Sequence, residues 1–155
     1  MNETILQRLP ESLAALPPRD QAVEILARTV WGEARGEPVA GKEAVAAVVL
    51  NRVALAEKPQ FRWWGKTVVG VCLAPFQFSC WNADDPNFPK LFNVRGADPV
   101  YATCLRTARR AVSNVLKDPT GGATHYHRRG IYPKWAQNAV PLCEIGNHVF
   151  YRIEG

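Results

Sequence analysis

The residue best suited to acid–base chemistry is Glu33, near the end of a predicted helix. It lies at helical spacing from Leu26 and Val30, so it continues an apolar stripe that faces the core. A carboxyl group there loses hydration and faces the negative end of the helix dipole, and both effects raise its pKa. Such an acid can protonate a leaving alkoxide oxygen, as glycosidic cleavage requires. The alternative is a helix-end salt bridge between Glu33 and an arginine such as Arg35.

Four other carboxylates could act as a second catalytic group. Glycosidases that retain or invert configuration hold two carboxyl groups about 5 Å or roughly 6.5–9.5 Å apart, respectively. Glu37 is one helical turn from Glu33, but the neighbouring Pro38 leaves its direction undetermined, whereas two aspartates lie on a proline-rich segment that can reach a cleft. A lysozyme-type hydrolase that uses two carboxylates is therefore an alternative to an enzyme in which Glu33 acts alone. The candidates are Glu37, Glu43, Asp84 and Asp85.

Three histidines suggest a different chemistry. His125 and His127 are spaced by two on a predicted strand, and His148 lies on a second predicted strand. Such a set can ligate zinc, and Glu33 would then act as general base for a metal-bound water. Zinc sites also need partners that orient the ligands, and the sequence does not show them. A zinc-dependent hydrolase is therefore the less favoured alternative.

Glu33 is positioned by a helix that the sequence predicts over residues 21–34. Apolar residues recur there at steps of three and four, and Asp20 is a suitable N-cap. Gly36 loosens the backbone and Pro38 disfavours helical angles in the residue before it, so the helix should end between them.

Two further helices are predicted from composition and capping. Residues 42–56 are rich in alanine and interrupted only at residues 51–52, so this helix should be deeply buried and pack against the first as a hairpin. Asp98 as N-cap and Pro99 at the first helical position begin the third helix, whose apolar stripe continues to Leu116.

The remaining segments predict a loop region and a small sheet. Residues 57–97 hold four prolines and eight aromatic residues, which predicts a long loop that wraps over the core and lines a cleft. Residues 123–128 and 148–153 alternate and predict two paired strands, with Tyr126 on the face opposite His127. Together these elements predict an α+β fold that is rich in helix and carries a small antiparallel β-sheet.

Charge favours an anionic partner. The chain has 155 residues and a net charge of +5, and residues 61–155 carry twelve Lys and Arg against six Asp and Glu. Nucleic acid and bacterial cell wall are both anionic, so charge does not decide between them. Known nucleic-acid-binding motifs are absent, so we expect no nucleic-acid partner. A basic domain that binds nucleic acid is the alternative that is not an enzyme. The basic cluster comprises Arg106, Arg109, Arg110, Lys117, Arg128, Arg129 and Lys134.

Five segments, taken in order, resemble the SleB/CwlJ-type cell wall hydrolase family. That family is named for spore cortex-lytic enzymes and also occurs in non-sporulating bacteria and phages. The resemblance covers roughly residues 22–153, and GEARGE within a helix pair followed by HVFY is its most specific part. The segments are ARTVWGEARGEP (27–38), GKEAVAAVVLNRV (41–53), PFQFSCW (75–81), DPTGGATHYH (118–127) and IGNHVFYR (145–152).

The resemblance implies a lysozyme-like fold that degrades peptidoglycan, with Glu33 as the catalytic acid. It further implies lytic transglycosylase chemistry, in which the bond from N-acetylmuramic acid to N-acetylglucosamine is cleaved without water and leaves a 1,6-anhydro end. A single carboxyl suffices for that reaction, because the C6 hydroxyl of the same sugar closes onto C1. A catalytically dead wall-binding module is a further alternative, against which the intact GEARGE argues.

Six further residues are expected to line the glycan groove. Polar side chains would bond to sugar hydroxyls or the N-acetyl group, and aromatic rings would stack on pyranose faces. For the polar residues the alternative is an ordinary loop surface, and for the rings it is packing in the core. These residues are Gln77, Phe78, Ser79, Trp81, Tyr126 and His127.

The sequence also predicts the domain bounds, the location of the protein and the state of its cysteines. Residues 1–20 predict a lead-in and residues 21–155 the catalytic domain, which we expect to act as a monomer without a cofactor. No secretory signal is visible in residues 1–16 and no apolar run is long enough to span a bilayer. This favours cytoplasmic synthesis and action on the cell wall or periplasm after another factor opens the membrane, as for a phage or prophage lysin. We expect the four cysteines to be reduced, with disulfides as the alternative.

Overall fold

Three long helices form the core in a computed structural model that describes residues 9–75 and 77–154. The second and third helices pack as the predicted hairpin, and the sixth helix packs across both of them. Among the described residues no helix is long and apolar enough to cross a membrane. The helices are α1 (Glu11–Ala14), α2 (Pro18–Ala34), α3 (Val39–Leu55), α4 (Val68–Leu73), α5 (Lys90–Asn93) and α6 (Pro99–Val112).

The start of α2 differs from the predicted one. The helix begins at Pro18 with Pro17 as its N-cap, so Asp20 lies inside the first turn and is not the cap. The physical reason is that proline has no N–H to satisfy and its φ is already helical, which suits the first helical position. Residues 1–8 of the predicted lead-in lie outside the described residues.

The region 57–97 is more regular than predicted. It is divided into short helical segments: α4, α5 and the 3-10 turns Pro59–Trp64 and Ser79–Trp81. Each segment is short enough to fit between prolines, which is why the proline density did not abolish helical structure. The segment does wrap over the core, as expected, but most of its rings point inward.

A three-stranded antiparallel sheet covers one side of α3. The strands are β1 (His125–Arg128), β2 (Cys143–Ile145) and β3 (His148–Tyr151), in the spatial order β1-β3-β2. The predicted pairing of β1 with β3 is confirmed, with Tyr126 opposite Phe150. Phe150 is buried against Ala44 and Val48 of α3. The sheet therefore presents Tyr126 to the helical core.

The capped start of α6 is confirmed and gives a stability prediction. The Asp98 carboxylate accepts hydrogen bonds from the backbone N–H groups of Val100 and Tyr101 at 2.9 and 3.0 Å. We expect Asp98→Ala to lower the free energy of unfolding by about 1 kcal/mol, which lowers the Tm of a chain this size by about 2–4 °C. Asp98→Asn keeps a capping oxygen and should melt like wild type. Equal losses in both variants would show that the cap is not the cause.

Candidate active site

Glu33 lies in the last turn of α2 at the floor of an open pocket. The pocket has a volume of about 330 Å³ and is bounded by the end of α2, by Asn87 and by the sheet. Gly32 lets the chain pass close to Cys80, since a Cβ at that position would lie 2.9 Å from the Cys80 sulfur. The lining residues are Gly32, Glu33, Ala34, Arg35, Gly36, Glu37, Asn87, Arg128 and His148.

The surroundings of Glu33 favour its protonated form. Burial is the main cause and raises the pKa of Glu33 above its ordinary value, and the negative charge of Asp85 adds to this. Hydrogen bonds from Tyr126 and Cys80 act in the opposite direction because they stabilise the carboxylate, but they do not cancel the effect of burial. A partly buried carboxyl group with a raised pKa that lines an open pocket can protonate a bound substrate.

Tyr126 connects the sheet to this acid. Its hydroxyl donates a hydrogen bond to Glu33 Oε1 at 2.6 Å. The Tyr126 ring packs against His148 and Phe150, with ring centres 4.8 and 5.6 Å apart, so strand β3 fixes its orientation. Burial and the nearby Glu33 raise the pKa of Tyr126 well above its ordinary value, so the phenol remains a hydrogen-bond donor.

Arg52 belongs to the same network, and sequence reasoning did not assign it a role. It is 5% exposed, and its Nε donates to the carbonyl oxygen of Thr124 at 2.8 Å. Burial lowers the pKa of Arg52 to about 10, while its charge still acts on Tyr126 and Glu33. The only signal in the sequence was that an arginine interrupts the apolar run of α3.

The two polar residues predicted from the aromatic segment differ in accessibility. Gln77 is partly buried, and its Oε1 accepts a hydrogen bond from Arg52 at 3.0 Å. Ser79 is exposed and begins the short 3-10 turn that contains Cys80. Both residues therefore lie on the segment that supplies the Cys80 contact to Glu33.

Phe78 and Trp81 do not present a surface to a sugar. Each is 2% exposed. Trp81 Nε1 donates to Thr29 Oγ1 at 2.9 Å, and the Phe78 ring packs under the Arg52 guanidinium. The expectation that these rings stack on pyranose faces is therefore corrected, because composition predicted the rings but not the side on which they lie.

The histidines do not converge. His127 is 7% exposed and lies on the sheet face opposite Tyr126, where its Nε2 is 2.8 Å from the Tyr151 hydroxyl. His148 pairs with Arg128 and so shares the face of Tyr126, whereas His125 shares the face of His127. The expected role of His127 in the groove and the zinc triad are therefore both corrected. Among residues 9–75 and 77–154 no cluster of three suitable side chains could hold a metal ion.

Glu37, the second glutamate of GEARGE, holds the turn between β2 and β3. Its carboxylate accepts hydrogen bonds from the Asn147 backbone N–H at 2.7 Å and from Asn147 Nδ2 at 3.1 Å. Partial burial opposes ionisation, but the Asn147 bonds outweigh it and lower the pKa of Glu37. Gly146 has φ +59°, and a Cβ there would overlap Glu37 Oε1. Glu37 therefore attaches the sheet to the end of α2.

Comparison with known proteins identifies the family. The family model described as Cell Wall Hydrolase matches residues 36–151. A spore cortex-lytic enzyme of Halalkalibacterium halodurans is 37% identical over 134 residues, which are 84% of this chain and 34% of the relative. A spore cortex-lytic enzyme of Bacillus cereus is 34% identical, over 83% of this chain and 43% of the relative. The chain thus spans less than half the length of these curated relatives.

Two solved structures share the fold. The catalytic domain of the Bacillus cereus SleB protein has a TM-score of 0.63 and 30% identity, over 84% of this chain and 89% of that one. The catalytic domain of the germination-specific lytic transglycosylase SleB from Bacillus anthracis has a TM-score of 0.58 and 31% identity, over 93% and 100%. These matches confirm the expected helix-rich, lysozyme-like α+β fold. The chain belongs to the cell wall hydrolase family that the SleB/CwlJ-type motifs indicated.

Proposed function

We propose that this chain degrades peptidoglycan as a lytic transglycosylase that cleaves the bond from N-acetylmuramic acid to N-acetylglucosamine. The observation that carries the proposal is Glu33: a partly buried carboxyl that is oriented by Tyr126 and opens into a polar pocket. Further support comes from the relatives named spore cortex-lytic enzymes and from the structural neighbour named a lytic transglycosylase.

Glu33 acts first as acid and then as base in this mechanism. It donates its proton to the bridging glycosidic oxygen, and the bond between that oxygen and C1 of the muramic residue breaks. As positive charge develops at C1, the C6 hydroxyl of the same sugar attacks C1 and gives its proton to the Glu33 carboxylate. The products are a free hydroxyl on the departing sugar and a 1,6-anhydro ring. No water is consumed, and Glu33 ends protonated as it began.

The network behind Glu33 suits these two roles. While Glu33 is a carboxylate, the Tyr126 hydrogen bond stabilises it, and the positive charge of Arg52 does the same. Burial opposes that state, so proton return from the C6 hydroxyl is favoured. We further propose that Gln77 and Ser79 bond to sugar hydroxyls or the N-acetyl group, because they lie on the segment that contacts Glu33 through Cys80.

Hydrolysis by a second carboxylate is the competing mechanism, and Asp85 is its best candidate. The charge of Asp85 acts on Glu33, whereas Glu37 is held by Asn147 and Glu43 forms an ion pair with Arg110. In a lysozyme-type reaction Asp85 would activate water or attack C1.

Replacing the acid tests the proposed function directly. We expect Glu33→Gln to reduce the rate of peptidoglycan cleavage by about 100-fold or more, since a positioned general acid contributes roughly 10²–10⁴-fold. The glutamine oxygen can still accept from Tyr126, so the fold should persist. Turbidity loss of purified sacculi measures the rate, and full activity in the variant would refute the role of Glu33.

A stability measurement separates loss of the acid from loss of the fold. Burial raises the folded-state pKa of Glu33, so its ionisation opposes folding once the pH rises through that raised value. The neutral Glu33→Gln side chain avoids this cost. At pH 8 the variant should therefore unfold at a Tm no lower than that of wild type. A lower Tm would mean that inactivity reflects damage to the structure.

Tyr126 gives a pH-dependent prediction. Its hydrogen bond lowers the pKa of Glu33, so Tyr126→Phe should raise that pKa further. Because the protonated acid starts the reaction, activity falls as pH rises through the Glu33 pKa, and this limb of the kcat/KM profile should move to higher pH. Tyr132→Phe removes an exposed hydroxyl and serves as control. An unmoved limb, or one shifted to lower pH, would contradict the assignment.

The products distinguish the two mechanisms. Mass spectrometry of digested peptidoglycan should give muropeptides with anhydro ends, one water lighter than reducing ends. Asp85→Asn should leave the anhydro ends in place if Glu33 acts alone. Reducing ends in the wild-type digest that disappear in Asp85→Asn would instead establish hydrolysis by two carboxylates.

A further inference from the structure

A buried side-chain nitrogen points to a ligand at the pocket rim. In the part of the chain that the structure describes, the buried side-chain nitrogen and oxygen atoms without a hydrogen-bond partner are Arg35 Nη1 and His148 Nδ1. Both residues line the Glu33 pocket. A buried polar atom without a partner is costly. His148 Nδ1 lies 4.0 Å from Glu37 Oε1, so it is Arg35 Nη1 that indicates a missing acceptor.

The Arg35 guanidinium is held in place from two sides. Its Cζ lies 4.4 Å from the centre of the Trp31 ring, and its Nη2 donates to Asn87 Oδ1 at 2.8 Å. The Asn87 backbone is in turn fixed by the Asp85 carboxylate, to which its N–H donates at 2.8 Å. Arg35 is thus oriented without a carboxylate partner among the described residues, and its Nη1 still lacks a hydrogen-bond acceptor.

The charge at this rim is positive. Arg35 and Arg128 both line the pocket, and Arg128 is exposed. Of the two glutamates there, burial raises the pKa of Glu33, and the ionised Glu37 already accepts hydrogen bonds from Asn147, so the two arginines outnumber the one carboxylate whose ionised form is favoured. The Arg35 Nη1 donor therefore requires an acceptor oxygen, which a carboxylate or an amide carbonyl would supply.

We propose that Arg35, supported by Asn87 and Arg128, binds the acyl oxygen of the lactyl branch of N-acetylmuramic acid. This inference rests on the proposed function. The lactyl group on C3 is what distinguishes this sugar from N-acetylglucosamine, and it lies on the same ring as the scissile C1. Its acyl oxygen is an amide carbonyl where a stem peptide is attached and a carboxylate where none is. Arg35 thereby selects peptidoglycan over chitin, a polymer of N-acetylglucosamine alone.

Binding to defined glycans tests this subsite without requiring catalysis. The ligands are peptide-bearing glycan strands, strands stripped of peptide by an amidase, and chitin oligosaccharides. In the Glu33→Gln background, adding Arg35→Gln should weaken binding to both muramic ligands by about tenfold or more, the effect of losing one charged hydrogen bond. The stripped strands, which carry a carboxylate, should lose more than the peptide-bearing strands. Chitin binding should not change.

Two more variants keep the test informative if Arg35→Gln disturbs the structure. Arg128→Gln changes an exposed side chain and should weaken muramic binding in the same direction by a smaller factor. Arg129→Gln removes the same charge from the neighbouring residue, which pairs with Glu144 at 3.2 Å outside the pocket, and should bind like the parent.

The outcomes separate this inference from the proposed function. Equal weakening for chitin and muramic ligands, or no weakening in Arg35→Gln and Arg128→Gln, would overturn the lactyl subsite. If Arg129→Gln weakened binding to the muramic ligands as much as Arg35→Gln does, the effect would be one of general charge, and the lactyl subsite would also be overturned. If Glu33→Gln retained full lytic activity, the proposed function would fail while the binding comparison still decided the role of Arg35.

Discussion

The hydrogen bond between Tyr126 and Glu33 is the contact on which the site depends. It joins a strand to the end of a helix across 93 positions of sequence, at 2.6 Å. Burial alone would make Glu33 slow to release its proton, whereas a fully solvated Glu33 would be ionised at neutral pH and could not act as an acid. The Tyr126 phenol partly offsets burial, so one carboxyl can both release and recover a proton. That balance holds only if the sheet is fixed against α2.

Two contacts hold the sheet in that position, one at each end of β1. Arg52 of α3 donates to the carbonyl oxygen of Thr124, just before β1, from a position buried beneath the site. At the other side, Glu37 binds the Asn147 backbone in the turn before β3. The sheet is thus held by the Arg52 guanidinium on one side and by the Glu37 carboxylate on the other. These bonds are directional, so they fix the strand register as well as its distance from α2.

The sequence predicted the elements better than the contacts between them. Periodicity predicted α2, alanine-rich composition predicted α3, capping chemistry predicted the start of α6, and alternation predicted β1 and β3, because each signal is local. The pairing of Arg52 with Thr124 lies 72 residues apart and has no local signature. Strand β2 has three residues, too few for alternation to be recognised. Phe78 and Trp81 were expected to stack on sugars in the groove, with packing in the core as the alternative, and the structure buries both of them at a short 3-10 turn.

GEARGE places three charged side chains around one pocket, at the point where the helix ends. Residues two apart on a helix point in different directions, yet Glu33 and Arg35 both line this pocket. Arg35 keeps helical backbone angles as the C-cap of α2, and the chain turns only after it, before Pro38, so Glu37 leaves the helical path and lines the pocket together with Glu33 and Arg35. Glu37 secures the sheet, and in the proposed mechanism Glu33 exchanges the proton while Arg35 binds the substrate. The turn that follows the helix therefore brings the third charged residue of the motif, Glu37, to the pocket.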